Sequence, residues 1–140
     1  MEWMILPYKR YFDFSGRSQR QEYWMFQLFW VLILIVGVVL IVAGVVRATD
    51  TGGSGSELSP LGWLGVTAMG LFVLGSIIPM ISVTVRRFHD QNLSGWLYLL
   101  NFIPSVGGLI VFVFMCLDGT GGPNRFGLDP KGRGEAGVFE

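Results

Sequence analysis

Reactive side chains are scarce in this sequence: among 140 residues there is one cysteine and one histidine, and the formal net charge is zero. A single thiol excludes an internal disulfide. Cys116, near the end of the last apolar run, is expected to pack as a small apolar residue. One histidine and one distant cysteine fall short of the three or four ligands that zinc requires, so no metal is expected, and no cofactor. His89 beside Asp90 could in principle move a proton. No Ser, Thr or Cys in a nucleophile motif accompanies that pair, so no catalytic residue is assigned and no enzymatic activity is expected. A neutral balance also gives no electrostatic reason to expect a nucleic-acid partner.

The second absence is more informative. Three long runs, Tyr23–Val46, Leu61–Val85 and Trp96–Leu117, contain no Asp, Glu, Lys, Arg or His. With about 22 to 25 residues apiece and a rise of about 1.5 Å per residue, each is long enough to cross a ~30 Å hydrocarbon layer as a helix. Such runs are too long for strands. The first is preceded by a segment containing Asp13 and Glu22 and exceeds a usual signal-peptide core, so it is expected to remain as an anchor. The expected fold is an all-α integral membrane protein with two full transmembrane helices, a third broken helix and an N-terminal interfacial segment. Its divisions are 1–22 for the interfacial segment, 23–117 for the membrane domain (helices 23–46, 61–85 and 96–117), and 118–140 for a polar, glycine-rich tail expected to end loosely.

Local signals refine this outline. Met1–Phe14 mixes aromatic and aliphatic residues with Lys9 and Arg10, as suits headgroup level. Ser18 with Gln21 fits a capping box, and Ser59 before Pro60 fits an N-cap and first-turn proline. The stretch from Arg47 to Pro60, with its Gly and Ser, reads as a flexible loop. Pro79 should perturb the second helix, with Ser82 available to satisfy the freed carbonyl. Arg86–Gly95 reads as a short polar connection, in which Arg86 and Asp90 become an i,i+4 pair if the helix continues. Pro104 and Gly107-Gly108 break the third run near its middle, giving either a kinked span or a re-entrant hairpin. Gly37 and Gly44 share a face of the first helix, and Gly62, Gly65, Gly70 and Gly75 thin the second, so close packing is expected within the protomer or against a partner.

Orientation follows from the basic residues. Three straight spans leave a weak inside bias of Lys and Arg. A hairpin that returns the tail to the side of the N-terminus gathers every one of the ten basic residues except Arg47 on the cytoplasmic face.

Three separated stretches are familiar together: Tyr11-Phe12-Asp13-Phe14-Ser15-Gly16-Arg17-Ser18-Gln19-Arg20-Gln21-Glu22-Tyr23-Trp24, then Arg86-Arg87-Phe88-His89-Asp90 with Ser94-Gly95-Trp96, then Gly119-Thr120-Gly121-Gly122-Pro123-Asn124-Arg125-Phe126-Gly127. Their order and wording resemble the DUF805 family of small bacterial inner-membrane proteins, over about residues 8 to 130. The Gly-Gly-Pro in the last stretch stands where the family pattern has Pro-Gly. The resemblance implies a helical fold in the bacterial inner membrane, multi-pass with a cytoplasmic N-terminus, and names no activity.

These stretches bring Arg17, Arg20, Glu22, Arg86, Arg87, His89, Asp90, Asn124 and Arg125 toward one membrane edge. Clustered guanidinium groups chelate phosphate, so one reading is a site for anionic phospholipid headgroups. The other is structural: the arginines hold the chain inside-positive while Glu22 and Asp90 neutralise them. The functional expectation is an accessory or scaffolding protein that contacts lipid, a membrane partner or further copies of itself. The alternative is a subunit of an oligomeric channel or transporter. Ion-coupled carriers usually place ionisable groups within their spans, and these spans have none.

Overall fold

The computed structural model describes residues 2–50, 52 and 58–133. It is all-helical: α1 (Glu2–Lys9), α2 (Arg20–Asp50), α3 (Pro60–Asp90), a 3-10 helix (Gly95–Phe102) and α4 (Gly107–Cys116). Among the described residues the only β-type pairing is an isolated bridge between Asn124 and Gly127. Both α2 and α3 have 31 residues, hence about 46 Å of axis, well beyond the hydrocarbon thickness. Most of their apolar side chains lie outermost, including Val31, Ile35, Val39, Leu71 and Leu74. The core helix of a soluble protein would bury them; helices solvated by lipid need not.

The chain forms two compact units, one of Gln27–Ile77 and one combining the residues up to Phe26 with those from Ile78 onward. In the Gln27–Ile77 unit, the two helices run antiparallel and meet through small residues. A Cβ on Gly44 would stand 2.2 Å from the Gly62 Cα, and one on Gly65 would stand 3.1 Å from the Ile41 backbone. Gly37 receives Met69, and Phe29 meets Phe72 edge-on. Removing side chains lets backbones approach closely enough for dispersion to hold helices that gain nothing from leaving water. Gly70 and Gly75 have open space where a Cβ would be, so only part of the glycine pattern serves this contact. The Thr67 and Ser76 hydroxyls donate to carbonyls one turn back, at Trp63 and Phe72, which satisfies them within their own helix.

The other unit is built differently. Its apolar centre is Tyr23, Phe26, Val83, Phe88, Val111 and Met115; α1 joins it with Tyr8 edge-on to Phe26. The third apolar run enters as an eight-residue 3-10 helix, longer than the three or four residues usual for that geometry. It breaks at residues 103–106, with Ser105 at φ 69°, and returns as α4. A Cβ on Gly107 would lie 1.8 Å from the Leu100 carbonyl oxygen, so only glycine permits the arms to close. The arms span about 16 and 15 Å, roughly half a bilayer each. Their outer ends lie together: Gln91 donates to the Phe114 carbonyl, and the Thr120 N–H to the Asp90 carbonyl at 2.9 Å. The third run therefore folds back on itself as a hairpin and does not continue as a kinked helix.

Several local expectations are corrected. Among the described residues the Ser18 hydroxyl has no hydrogen-bond partner; its N–H donates to the Arg86 carbonyl, so no capping box forms and α2 starts at Arg20. Helix α3 does begin at Pro60, with the Ser59 carbonyl accepting from the Trp63 N–H, but the Ser59 hydroxyl makes no capping bond among the described residues. Ser82 donates to the Asp13 carbonyl at 2.6 Å instead of serving α3 near Pro79. Helix α3 runs on through Asp90, and the ion pair within it is Arg87–Asp90 at i,i+3, not Arg86–Asp90. Cys116 is exposed, not packed. Of the stretch from Arg47 to Pro60 read as a flexible loop, Arg47–Asp50 belong to α2, and residues 51 and 53–57 lie outside the described residues, as do 134–140 of the tail. The tail up to Arg133 is not a loose end, for the reasons given next.

Candidate functional site

The polar residues of the three matching stretches divide into four groups, all in the unit that contains both termini. The first is a buried clasp. Arg17 leaves the turn before α2 and puts Nε 2.9 Å from Asp90 Oδ1, while Arg87 donates to Asp90 Oδ2 and to the Leu117 carbonyl. Arg17 also donates to the Gly122 carbonyl at 2.7 Å and to the Thr120 carbonyl at 2.5 Å, and stands 3.8 Å from Asp129. Both guanidinium groups are enclosed, with side-chain exposures of 1% and 0%. Asp90 can reach them because residue 119 is glycine: a Cβ there would lie 1.9 Å from Asp90 Oδ2. Thr120 adds a hydroxyl bond to the Asp90 carbonyl. One arginine thus ties the start of α2 to the end of α3 and to the tail.

Asp129 completes the tail's part. Burial alone would raise its carboxyl, but the Arg133 guanidinium and the N–H groups of Lys131 and Gly122 donate to it and bring it down to about 2. Asp13, in the connection between α1 and α2, is arranged likewise. The Ser15 hydroxyl, then Arg10, hold it at about 2.

The second group is the pair Glu22–Arg86, 3.0 Å apart and enclosed. No nitrogen of the Arg86 guanidinium makes a hydrogen bond among the described residues, nor does Glu22 Oε1. The two charges neutralise each other without the directional bonds that make the first group tight.

The third group faces outward. Arg20 is 41% exposed, with Nε 3.1 Å from Asp118 and Nη1 donating to the Cys116 carbonyl at 3.0 Å. Lys131 reaches the same Asp118 oxygen at 3.0 Å. The Lys131 ammonium, with Arg20 and Arg133 close by, holds the Asp118 carboxyl below the usual carboxylate range. Two cations share one carboxylate, so a positive charge is left over. Around them opens a groove of about 500 Å³, lined also by Gln19, Gln21, Trp24 and Cys116.

The fourth group surrounds His89. Its ring stacks flat on Phe126, centroids 3.9 Å apart, and Nδ1 lies 3.3 Å from the Gly16 carbonyl. Asn124 donates to the His89 carbonyl at 3.0 Å; Arg125 lies over Phe126 and donates to the Asn92 carbonyl.

The structure thus brings Arg17, Arg87 and Asp90 together, pairs Arg86 with Glu22, and sets Arg20, His89, Asn124 and Arg125 apart from them. A headgroup could not reach Arg17, Arg86 or Arg87 as they stand. Sequence reasoning missed Asp118, Asp129, Lys131 and Arg133. Their signal is present as alternating acids and bases in the tail, but a glycine-rich composition argues against order there.

The chain is 38% identical to the inner membrane protein YhaI of Escherichia coli strain K12 over 131 residues, covering 94% of this chain and 97% of that protein. It is 39% identical to the inner membrane protein YhaH of the same organism over 132 residues, covering 94% and 98%. No solved structure matches it. Residues 11–128, which include all four groups apart from Asp129, Lys131 and Arg133, match the family described as "Protein of unknown function (DUF805)", and to that family the chain belongs.

Proposed function

We propose that this protein is a non-catalytic accessory component of the bacterial inner membrane. In this reading it crosses the bilayer twice, keeps both termini cytoplasmic, and binds an anionic phospholipid headgroup in the groove beside Arg20 and Lys131. The observation that carries the reading is the sharing of Asp118 by those two exposed cations. The groove offers incompletely neutralised charge, the side-chain amide of Gln21 and the ring of Trp24 at the end of a membrane-length helix, the combination that phosphate at an interface favours. Orientation is supported by the hairpin, which returns the basic tail to the end where Arg17 and Arg20 sit. A membrane partner or second copy is supported by the exposed backbone turn of the hairpin at residues 101–106, since irregular backbone at membrane depth is stable only when protein or water covers it.

The test is retention of phosphatidylglycerol by purified protein in native mass spectrometry. Each basic residue near an anionic surface contributes about 1 kcal/mol, so Arg20→Gln with Lys131→Gln should weaken retention by roughly thirtyfold at most, and less because Asp118 already offsets part of the charge. Arg20→Lys should retain most of it. Equal retention by wild type and the double variant would refute the headgroup site. Selective solute flux through liposomes containing the wild type would replace the accessory role with the channel reading.

A further inference from the structure

A second groove, of about 730 Å³, lies on the other side of the polar edge and shares no lining residue with the first. One wall is a single face of α3, Ile81, Val85 and His89, spaced four residues apart and all half-buried. The opposite wall comes from the 3-10 helix. Because that geometry repeats every three residues, Trp96, Leu99 and Phe102 form one outward stripe while Leu97 and Leu100 turn to the core. An α-helix over the same sequence would have scattered that stripe. The walls approach closely because residue 95 is glycine: a Cβ there would lie 2.6 Å from Val85 Cγ1 and 3.2 Å from His89 Nε2.

The side-chain lining is apolar apart from His89, Ser94, the Trp96 indole N–H and the Tyr98 hydroxyl. At the rim stand His89 and Ser94; at the floor, about 12 Å along α3, stand Ile81, Leu99 and Phe102. None of the lining residues is Asp, Glu, Lys or Arg. A carbonyl oxygen only accepts, so the contact with Gly16 fixes the hydrogen of His89 on Nδ1 and leaves Nε2 as a lone-pair acceptor facing the space beside Gly95. Phe126 stacked on the ring holds that orientation. Ser94 Oγ accepts from the Trp96 N–H at 3.4 Å and keeps its own hydrogen to donate. The rim lining therefore presents one acceptor and one donor; the Arg125 guanidinium over Phe126 is outside the lining and donates to the Asn92 carbonyl. An ionised phosphate offers acceptors alone and would confront the Nε2 lone pair, whereas an alcohol matches both groups.

We propose that this groove binds a neutral, hydroxyl-bearing membrane lipid of the diacylglycerol class, the hydroxyl donating to His89 Nε2 and accepting from Ser94, and an acyl chain lying between α3 and the 3-10 helix. Size and lining accord with a ligand pocket, mostly apolar with few placed polar groups. The donor–acceptor match at His89 and Ser94 selects the hydroxyl head over the anionic lipids that the Arg20 groove attracts.

The test reconstitutes the full chain in phosphatidylcholine vesicles doped with diacylglycerol carrying a diazirine on one acyl chain, followed by photolysis and peptide mapping. A parallel set uses phosphatidylcholine with the same labelled chain. Crosslinks from diacylglycerol should concentrate on Val85, Leu99 and Phe102. Leu99→Trp, a change at an exposed position that fills the groove, should reduce them about tenfold, and Ser94→Ala should lower the preference for diacylglycerol roughly three- to tenfold, as for one lost hydrogen bond. Arg20→Gln should leave the labelling unchanged, so this site and the headgroup groove stand or fall separately. Equal labelling of these residues by the phosphatidylcholine probe, or yields unaffected by Leu99→Trp, would overturn the proposal.

Discussion

The two units of this chain solve one problem in opposite ways. Between Gln27 and Ile77, helices without a charged group among the packed positions are held by the absence of side chains, with Gly44 against Gly62 as the closest point. In the other unit, enclosed Arg17, Arg86 and Arg87 meet Glu22, Asp90 and Asp129. The difference reflects what surrounds each. In hydrocarbon, apolar side chains gain nothing by leaving lipid, so shape decides. At the membrane edge, where a turn, a hairpin and a tail converge, there are free carbonyls to satisfy, and guanidinium groups with five donors can serve several at once. Arg17 does this, bonding carbonyls of the tail and a carboxylate of α3 together.

The largest expected effect breaks the polar side of this comparison. Asp90→Asn leaves Arg17 and Arg87 enclosed with one carboxylate fewer, and should cost about 3 to 5 kcal/mol, measured as loss of resistance to thermal unfolding in detergent. Glu22→Ala should also be severe, yet Glu22→Leu with Arg86→Met should recover much of the loss. That pair lacks the hydrogen bonds that would offset its desolvation, and apolar replacements of buried pairs are often neutral. A double variant as unstable as the single one would show that the pair does more than neutralise itself.

A smaller effect tests the apolar side. Gly44→Ala forces a Cβ into the Gly62 backbone and should destabilise by about 1 to 3 kcal/mol. Gly70→Ala meets nothing within 4 Å and should be neutral, or stabilising by up to about 1 kcal/mol through helix propensity. Equal costs at the two positions would mean that backbone approach is not what holds this unit.

The smallest effect is acidic. Asp13 and Asp129 are held at about 2, below their ordinary 3.8, so each contributes stability that is complete above about pH 4 and fades as pH falls toward 2. Amide protection of residues 119–133, taken relative to the intrinsic exchange rate at each pH, should therefore hold down to about pH 4 and fall below it. Protection of the described helices in the Gln27–Ile77 unit, held by apolar and glycine contacts, should change less. Loss of tail protection already at pH 6 would assign the clasp to other groups.

Much of the candidate site is legible in the order of residues alone, and the limits of that legibility are instructive. The proximity of Arg17, Glu22, Arg86, Arg87 and Asp90 follows from charges confined to the edges of uncharged runs. Which carboxylate meets which arginine does not. Continuation of α3 to Asp90 leaves both Arg86 and Arg87 about one turn behind it; Glu22 standing against Arg86 leaves the Asp90 carboxylate to Arg87 and Arg17. The tail defies its composition, because glycine usually signals loose chain. Here Gly119 is the condition for order, since only a residue without Cβ lets Asp90 close on Arg17.

The sequence by itself determined the membrane residence, the helical class, the break in the third run and the family, because each depends on composition or spacing along the chain: uncharged length, proline and glycine position, and motif order. Only the tertiary structure decided that the broken run returns to the edge it left, that three arginines are enclosed while Arg20 and Lys131 remain outside, and that Leu99 and Phe102 face Ile81 and Val85 across a groove. Those outcomes depend on which donors and acceptors meet in space. That meeting is fixed by helical phase and by close approaches at Gly95, Gly107 and Gly119, at distances of a few ångströms that no pattern along the chain encodes.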